Sequence, residues 1–574
     1  MRVGLTRLRA WQPASLAVAA AQVTDLSRAV DATVRAASAR TGDLLESWSG
    51  DTASAAVVRL TTERVTATHL TTAVNASVDA LSEAATALGD VRTRAIEIAD
   101  AAIMTGFAVA DDGTVTAPVF TTGTIADLLF QAQLDEQARA IEARLVAVLD
   151  TAGDLDESAA TALRKALTDL DILVATPSGG RLGGGVTAIL DGNAFLPDDP
   201  RELNAFWESL TPAEKDALFA YDPTIGNRDG LPVVDRDHYN RAHLPELQER
   251  AAAHLAQIEF RHPDWARGEN TPRERVALDD AGGPGFFEYE RWAAEHDAAK
   301  ESVSGLETIA EQVDRDGLPR FLLSLDGDGR AAIASNNPDT AQNVVTFVPG
   351  TGSRLSEMGR DIDRSERMLS AAEDADNSTR TSVVTWYGYN APQTIVPEAG
   401  QERFADAGAP RLDSFQDGLR ASHDGPPSRN VIVAHSYGTT VVGHAARSGG
   451  SLDADALVFV GSPGVGVLHA DALALDSVTT SDMHDHVYAT AAAADPVPAI
   501  PSILRPLDLH SAAHGANPAG EDFGAQVFEG NPGESVRLPV LGHVGVDLGS
   551  HSEYWNDDNP SLASMGRIIA GLPL

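Results

Sequence analysis

The spacing of apolar positions changes character once along this chain. Before Arg320 they recur every three or four residues, the period of a helix with one buried side, and after it they come in short unbroken runs of strand length. Pro13 to Arg40 carries Leu16, Val23, Leu26, Val30 and Val34 along one side, which predicts a long first helix. Asp51 to Met104 repeats the spacing with Val57, Leu60, Val65, Leu70, Val74, Leu81 and Leu88, and Thr124 to Leu173 repeats it again, with a break expected near Gly153. Between the last two, Val109 to Thr116 centres on Asp112-Gly113 and predicts a short hairpin. The glycine-rich stretch Pro177 to Gly185 has no Lys-Ser or Lys-Thr behind it and no clean strand before it, so it predicts a flexible boundary and not a phosphate cradle.

Beyond that boundary, Glu202 to Leu210 is again helical in period, and Thr211-Pro212-Ala213-Glu214 marks a helix start at which Glu214 can reach back to the cap amide. A further helix is expected at Glu246 to Glu259. Phe321 to Leu325 and Ala331 to Ser335 predict a hairpin. Val344 to Val348, Val383 to Trp386, Val431 to Val433, Leu457 to Val460 and Val487 to Thr490 then follow as core strands. Strands alternating with helix-length segments imply an α/β fold with a mostly parallel sheet and an antiparallel start. Asp326-Gly327-Asp328-Gly329 lies where a calcium loop could begin, but the closing position would be Asn337 and not Glu, so a hairpin turn is expected. Three regions result: a helical domain over 1–178, a helical linker or cap over 179–315, and an α/β domain over 316–574.

Length and charge narrow the possible partners. At 574 residues the chain exceeds the roughly 150 residues of an ordinary domain several times over, so a full core is within reach. A formal charge of -40 opposes phosphate backbones and anionic membrane surfaces, which makes nucleic acid an unexpected partner. With no cysteine there is no disulfide, thiolate metal site or thiol nucleophile. The basic start, Met1 to Ala10, followed by mildly apolar Leu16 to Ala21, has the outline of a signal peptide, but Gln12, Pro13, Ser15 and Gln22 keep the apolar part short and favour a first helix of the fold. No apolar run reaches the roughly 18 residues of a spanning helix. The expected location is the cytoplasm, or outside the cell by a route that needs no signal peptide.

The candidate chemistry centres on Asn430-Val431-Ile432-Val433-Ala434-His435-Ser436-Tyr437-Gly438, where a β-branched run enters a small-residue turn and a helical segment follows at once. That is the context of a nucleophile elbow, with Ser436 at the apex and small residues, Ala434 and Gly438, two before and two after. Ala434 stands where the usual pattern has glycine, a departure of one methyl group. A serine hydroxyl needs a histidine base and an orienting carboxylate, which in this type of fold follow in the order serine, acid, histidine. Asp495 lies in the loop after the strand Val487 to Thr490, at the end where such sheets place their ligands, whereas Asp485 precedes that strand and Asp508 lies well beyond it. His510, His514, His543 and His551 all follow Asp495, and His551 sits in Gly549-Ser550-His551-Ser552-Glu553-Tyr554-Trp555 shortly before a final helix at Ser561 to Ile569. His435 and His444 flank the serine and read as packing or surface residues. An oxyanion would meet the amide of Tyr437 and that of Thr351 or Gly352, in the small-residue loop Val348 to Ser353.

Two resemblances sharpen this reading. Trp48-Ser49-Gly50, between two alanine-rich helices, resembles the WXG proteins exported by type VII secretion systems; a plain helical hairpin with a buried tryptophan is the other reading. The partner motif Y-x-x-x-[DE] is absent after the second helix and is matched only far downstream by Tyr554 and Asp558. The stretch "IGNRDGLP…RDHYNRAHL", together with the Ser436 elbow, resembles a family of bacterial α/β-hydrolases of poorly assigned function that carry a long helical, often W-x-G-like, region before the hydrolase core. That resemblance covers most of the chain and implies an α/β-hydrolase fold and a Ser-His-Asp triad with its histidine at His551, His543 being second. It implies a serine hydrolase acting on an ester or related acyl bond of a small molecule or lipid, with no metal or organic cofactor. The alternative is a type VII secretion substrate, or a scaffold for a helical secretion partner, with weak or no catalysis.

Overall fold

The computed structural model describes residues 2–24, 51–119, 125–175, 182–271, 284–394, 398–447, 450–499, 514–533, 536–538, 542–544 and 549–574. The Trp48-Ser49-Gly50 turn, most of the glycine-rich boundary, Asp508 and His510 lie outside them. The chain divides into two compact units, one of Met1–Gly184 with Thr211–Ala217, the other of Gly185–Leu210 with Leu218–Leu574.

In the first unit the helices Asp51–Met104 and Ile125–Ala175 share a core in which Val91, Ala95, Ala99 and Ala102 meet Leu145, Leu149 and Ala152. Alanines on one helix leave room for leucines on the other. Val3, Leu5 and Leu8 close the same core, and Arg2 holds Asp150 at 2.8 Å, so the basic N-terminal segment is packed structure. The expected break at Gly153 does not occur. That glycine is buried within an unbroken helix, where its packing outweighs a propensity cost of about 1 kcal/mol. The hairpin pairs Ala108–Val109 with Val115–Thr116 and turns at Gly113, where a φ of +89° and the 2.9 Å at which an added Cβ would meet Leu149 Cδ1 both require the missing side chain. Glu214 accepts from the Thr211 amide at 2.9 Å, closing the cap that the sequence spelled out.

The second unit is built on an eight-stranded sheet: β1 (Arg320–Leu325), β2 (Ala331–Ser335), β3 (Asn343–Val348), β4 (Thr381–Tyr387), β5 (Arg429–His435), β6 (Ala456–Val460), β7 (Val487–Thr490) and β8 (Gln526–Val527). The spatial order is β8-β7-β6-β5-β3-β4-β2-β1; β2 runs antiparallel to both its neighbours and the other pairings are parallel. The two-residue β8 has no apolar run to announce it. Alternate residues of the central strands feed two cores. Ile432 and Ala434 face the helices Arg403–Ser422 and Tyr437–Ala446, while Val431 and Val433 face Met358–Ala375 and Pro560–Ile569. Burial on both faces is why these strands read as unbroken apolar runs and not as alternations. The turn between β1 and β2 uses the Asp326 carboxylate to accept from the amides of Asp328 and Arg330 and to pair with the Arg330 guanidinium at 2.6 Å, as a hairpin turn does.

The open edge of β1 is covered by side chains. Asn227 donates to and accepts from the Leu325 backbone, Asp237 accepts from Leu322 N–H, Asn240 donates to Leu322 O, Arg236 to Leu323 O and Arg241 to Arg320 O. A register shift between Leu322 and Ser324 turns successive groups outward to meet them. All five side chains come from the "IGNRDGLP…RDHYNRAHL" stretch, which therefore satisfies and blocks an edge strand. To do so Val233–Arg261 forms one helix that begins well before the expected Glu246 and continues through Pro245.

Candidate active site

Ser436 follows β5 at φ +53° and ψ -129°, a region that few side chains tolerate, and the helix Tyr437–Ala446 begins with the next residue. The crowding around it is severe. A Cβ on Gly350 would lie 2.6 Å from Ser436 Cβ and 2.9 Å from Tyr437 N, and one on Gly438 would lie 2.2 Å from Val348 O. Ala434 is fully buried in the sheet core, with its methyl accommodated there. The bend is fixed by the Ser436 amide donating to Val460 O at 3.0 Å and by the Thr439 amide and hydroxyl, both donating to Ser436 O.

Asp495 follows β7 and is fully buried. Its Oδ1 accepts from the Val497 amide at 2.9 Å, and its Oδ2 accepts from the Tyr554 hydroxyl at 2.7 Å and pairs with His551 Nδ1 at 2.8 Å. Those contacts fix the imidazole with Nδ1 toward the acid and Nε2 away from it. Gly461 lies under this pair: a Cβ there would come within 3.1 Å of His551 Nδ1 and 3.0 Å of Asp495 Oδ2. Because Ser436 bonds to Val460 and His551 rests on Gly461, the serine and the histidine share one two-residue platform. Among the described residues neither Ser436 Oγ nor His551 Nε2 makes a hydrogen bond.

His435 is packed into the protein and not at its surface. Its Nε2 donates to His551 O at 2.8 Å, and its ring lies against His551 and edge-on to Trp555. Burial, then the neighbouring His551 and Arg364, hold it well below the usual histidine range, so it is neutral where it packs. The sequence offered only adjacency to Ser436, and adjacency along a strand sends side chains to opposite faces; the face proves to be the one His551 backs onto. His444, in the helix after the elbow, binds Asp406 of the helix Arg403–Ser422 at 3.0 Å, and His514 donates from Nε2 to Ala399 O while its ring meets Tyr437 edge-on. His543 pairs with Arg537 in a two-stranded ribbon, its side chain outside the described residues, and Asp485 sits before β7 beside His484. Tyr554 is buried on Asp495.

The candidate oxyanion amides are those of Thr351 and Gly352 in the loop after β3, and that of Tyr437 after β5. That of Gly352 already donates to Pro392 O, in the segment after β4, at 2.8 Å, so this N–H is engaged and the Thr351 amide is the alternative left open. Thr351 N and Tyr437 N have no hydrogen-bond acceptor among the described residues; the latter is one of the N–H groups that any helix start leaves open. Elsewhere, Asp417, Asp453 and Asp476 bring carboxylate oxygens within 4.8 Å of one another, but Arg420 already neutralises Asp453 at 2.9 Å, and burial and the nearby carboxylates raise Asp417 to about 6. A surface cavity of about 410 Å³ lined by His469, His484, Asp471 and Asp522 contains none of the residues around Ser436. No helix among the described residues is long and apolar enough to cross a membrane.

The mostly parallel sheet and the helices packed on both its faces are those of an α/β-hydrolase domain, preceded by a helical region. Residues 326–504 match the profile of a family described as alpha/beta hydrolase. Two curated relatives, the uncharacterized proteins MT2140 and Rv2079 of Mycobacterium tuberculosis strains CDC 1551 and H37Rv, are each 30% identical over 398 residues, 64% of this chain and 55% of theirs. The chain thus spans about half the length of the curated relatives it matches. Among solved structures, esterase LipW from Mycobacterium marinum matches at 14% identity and a TM-score of 0.26, over 48% of this chain and 88% of that one.

Proposed function

We propose that this chain is a serine hydrolase that cleaves an ester or related acyl bond of a small-molecule or lipid substrate. The observation that carries the reading is the 2.8 Å pairing of His551 with the buried Asp495 carboxylate, both resting on Gly461, next to the Val460 carbonyl that holds a serine at positive φ. His551 Nε2 takes the Ser436 Oγ proton as Oγ attacks the acyl carbon, and Asp495 offsets the charge that forms on the imidazole. The developing oxyanion meets the N–H groups of Tyr437 and Thr351. The bond to the leaving alcohol then breaks, the alcohol takes the proton from His551, and the acyl group stays on Ser436. Water, deprotonated by His551, releases the acid and returns the proton to Ser436 Oγ.

A fluorophosphonate probe on the purified full chain tests this reading. Labelling of native protein that disappears in Ser436→Ala, with hydrolysis of p-nitrophenyl esters lost in parallel, supports it. Folded wild-type chain that neither labels nor turns over any acyl length overturns it.

A further inference from the structure

Ser550–Trp555 is a 3₁₀ turn, and in such a turn residues three apart project from the same side. His551 and Tyr554 are three apart, and both end on one atom: Asp495 Oδ2 receives His551 Nδ1 at 2.8 Å and the Tyr554 hydroxyl at 2.7 Å. The tyrosine is itself anchored, its oxygen accepting the Ala492 amide at 2.8 Å in the loop that carries Asp495. Burial and the adjacent Asp495 push the Tyr554 phenol well above its ordinary range, so it remains the proton donor. A single turn therefore delivers both the base and a second donor to the acid, and this donor ties the loop after β7 to the turn.

Resting on the proposed hydrolase reading, we propose that Tyr554 is a positioning residue for the Asp495-His551 pair. Its hydroxyl stops the carboxylate from rotating about its own axis and shares the negative charge of Oδ2. Without it, Oδ2 becomes a stronger acceptor for His551 alone, the imidazole retains its proton to higher pH, and Nε2 is less well aimed at Ser436. A residue that merely fills space would affect none of these.

The test is Tyr554→Phe, which keeps the ring. With p-nitrophenyl butyrate as probe, kcat is expected to fall roughly 10- to 100-fold, the loss of one hydrogen bond to a charged group, with KM little changed and the acid limb of the kcat/KM profile moved to higher pH. Independently of turnover, the downfield proton resonance of His551 Nδ1–H, assigned by its absence in His551→Ala, is expected to move. 3-Fluorotyrosine placed at position 554, a stronger donor of nearly the same shape, should move that resonance the opposite way and serves if the phenylalanine variant does not fold. An unmoved resonance with an unchanged pH profile overturns the proposal. If the wild-type chain proves inactive, the hydrolase reading fails by itself, and the resonance alone upholds or sinks the role of Tyr554.

Discussion

Asn227 meets Leu325 as a neighbouring strand would, its Oδ1 accepting the Leu325 N–H at 2.7 Å and its Nδ2 donating to Leu325 O at 2.7 Å. One side-chain amide thereby completes the backbone pairing of the sheet's outer strand. Asn227→Ala is expected to destabilise the sheet-bearing unit by roughly 1–3 kcal/mol, read as a lower urea midpoint at unchanged slope, because both Leu325 groups lose their partner. Asn227→Asp should cost more, since a second acceptor would face Leu325 O.

Gly350→Ala should disable the site while sparing the fold. The added methyl would fall 2.6 Å from Ser436 Cβ, and relief requires moving the bend that aims Oγ. Fluorophosphonate labelling is expected to slow by on the order of 100-fold, with circular dichroism and unfolding midpoint close to wild type.

Asp495→Asn replaces the acceptor facing His551 with an amide able to donate, which favours the wrong imidazole tautomer. The expected loss in kcat is about 10³- to 10⁴-fold, with folding retained because Val497 N–H can still donate to the amide oxygen. Activity close to wild type would remove Asp495 from the mechanism.

Asp339 makes stability depend on pH. Buried under the Ser422 hydroxyl and the Val233 amide, near Asp424 and with Arg236 opposing, it is raised to about 7 by burial above all. The folded chain therefore holds this proton up to about pH 7, while the unfolded chain releases it near 3.8. The contribution is complete below the unfolded value and is lost as pH rises through the folded one. Asp339→Asn, which cannot ionise, should gain stability relative to wild type between pH 4.5 and 8, with the difference levelling off above that. Denaturant midpoints at pH 4.5, 6 and 8 check it; a constant difference would contradict it.

Much of the architecture was legible along the chain because each element carries its own cause. β-Branched runs such as Asn430-Val431-Ile432-Val433 announce strands buried on both faces, and small residues around Ser436 announce a bend with no room for side chains. Thr211 and Glu214 likewise specify their cap locally. Loop position points to Asp495 and the family resemblance to His551, and in space their side chains meet at 2.8 Å.

What only tertiary contact decided was the destination of polar groups. "IGNRDGLP…RDHYNRAHL" carries no local sign of what its polar side chains bind; β1, more than eighty residues later, supplies the unpaired backbone they satisfy. The Gly352 amide is spent on Pro392, His435 faces the back of His551, and Tyr554 shares an oxygen with the base three residues before it. Hydrophobic period sets a segment's backbone because neighbours along the chain enforce it. A hydrogen bond's partner is instead fixed by whichever distant element burial brings alongside, and no local pattern records that.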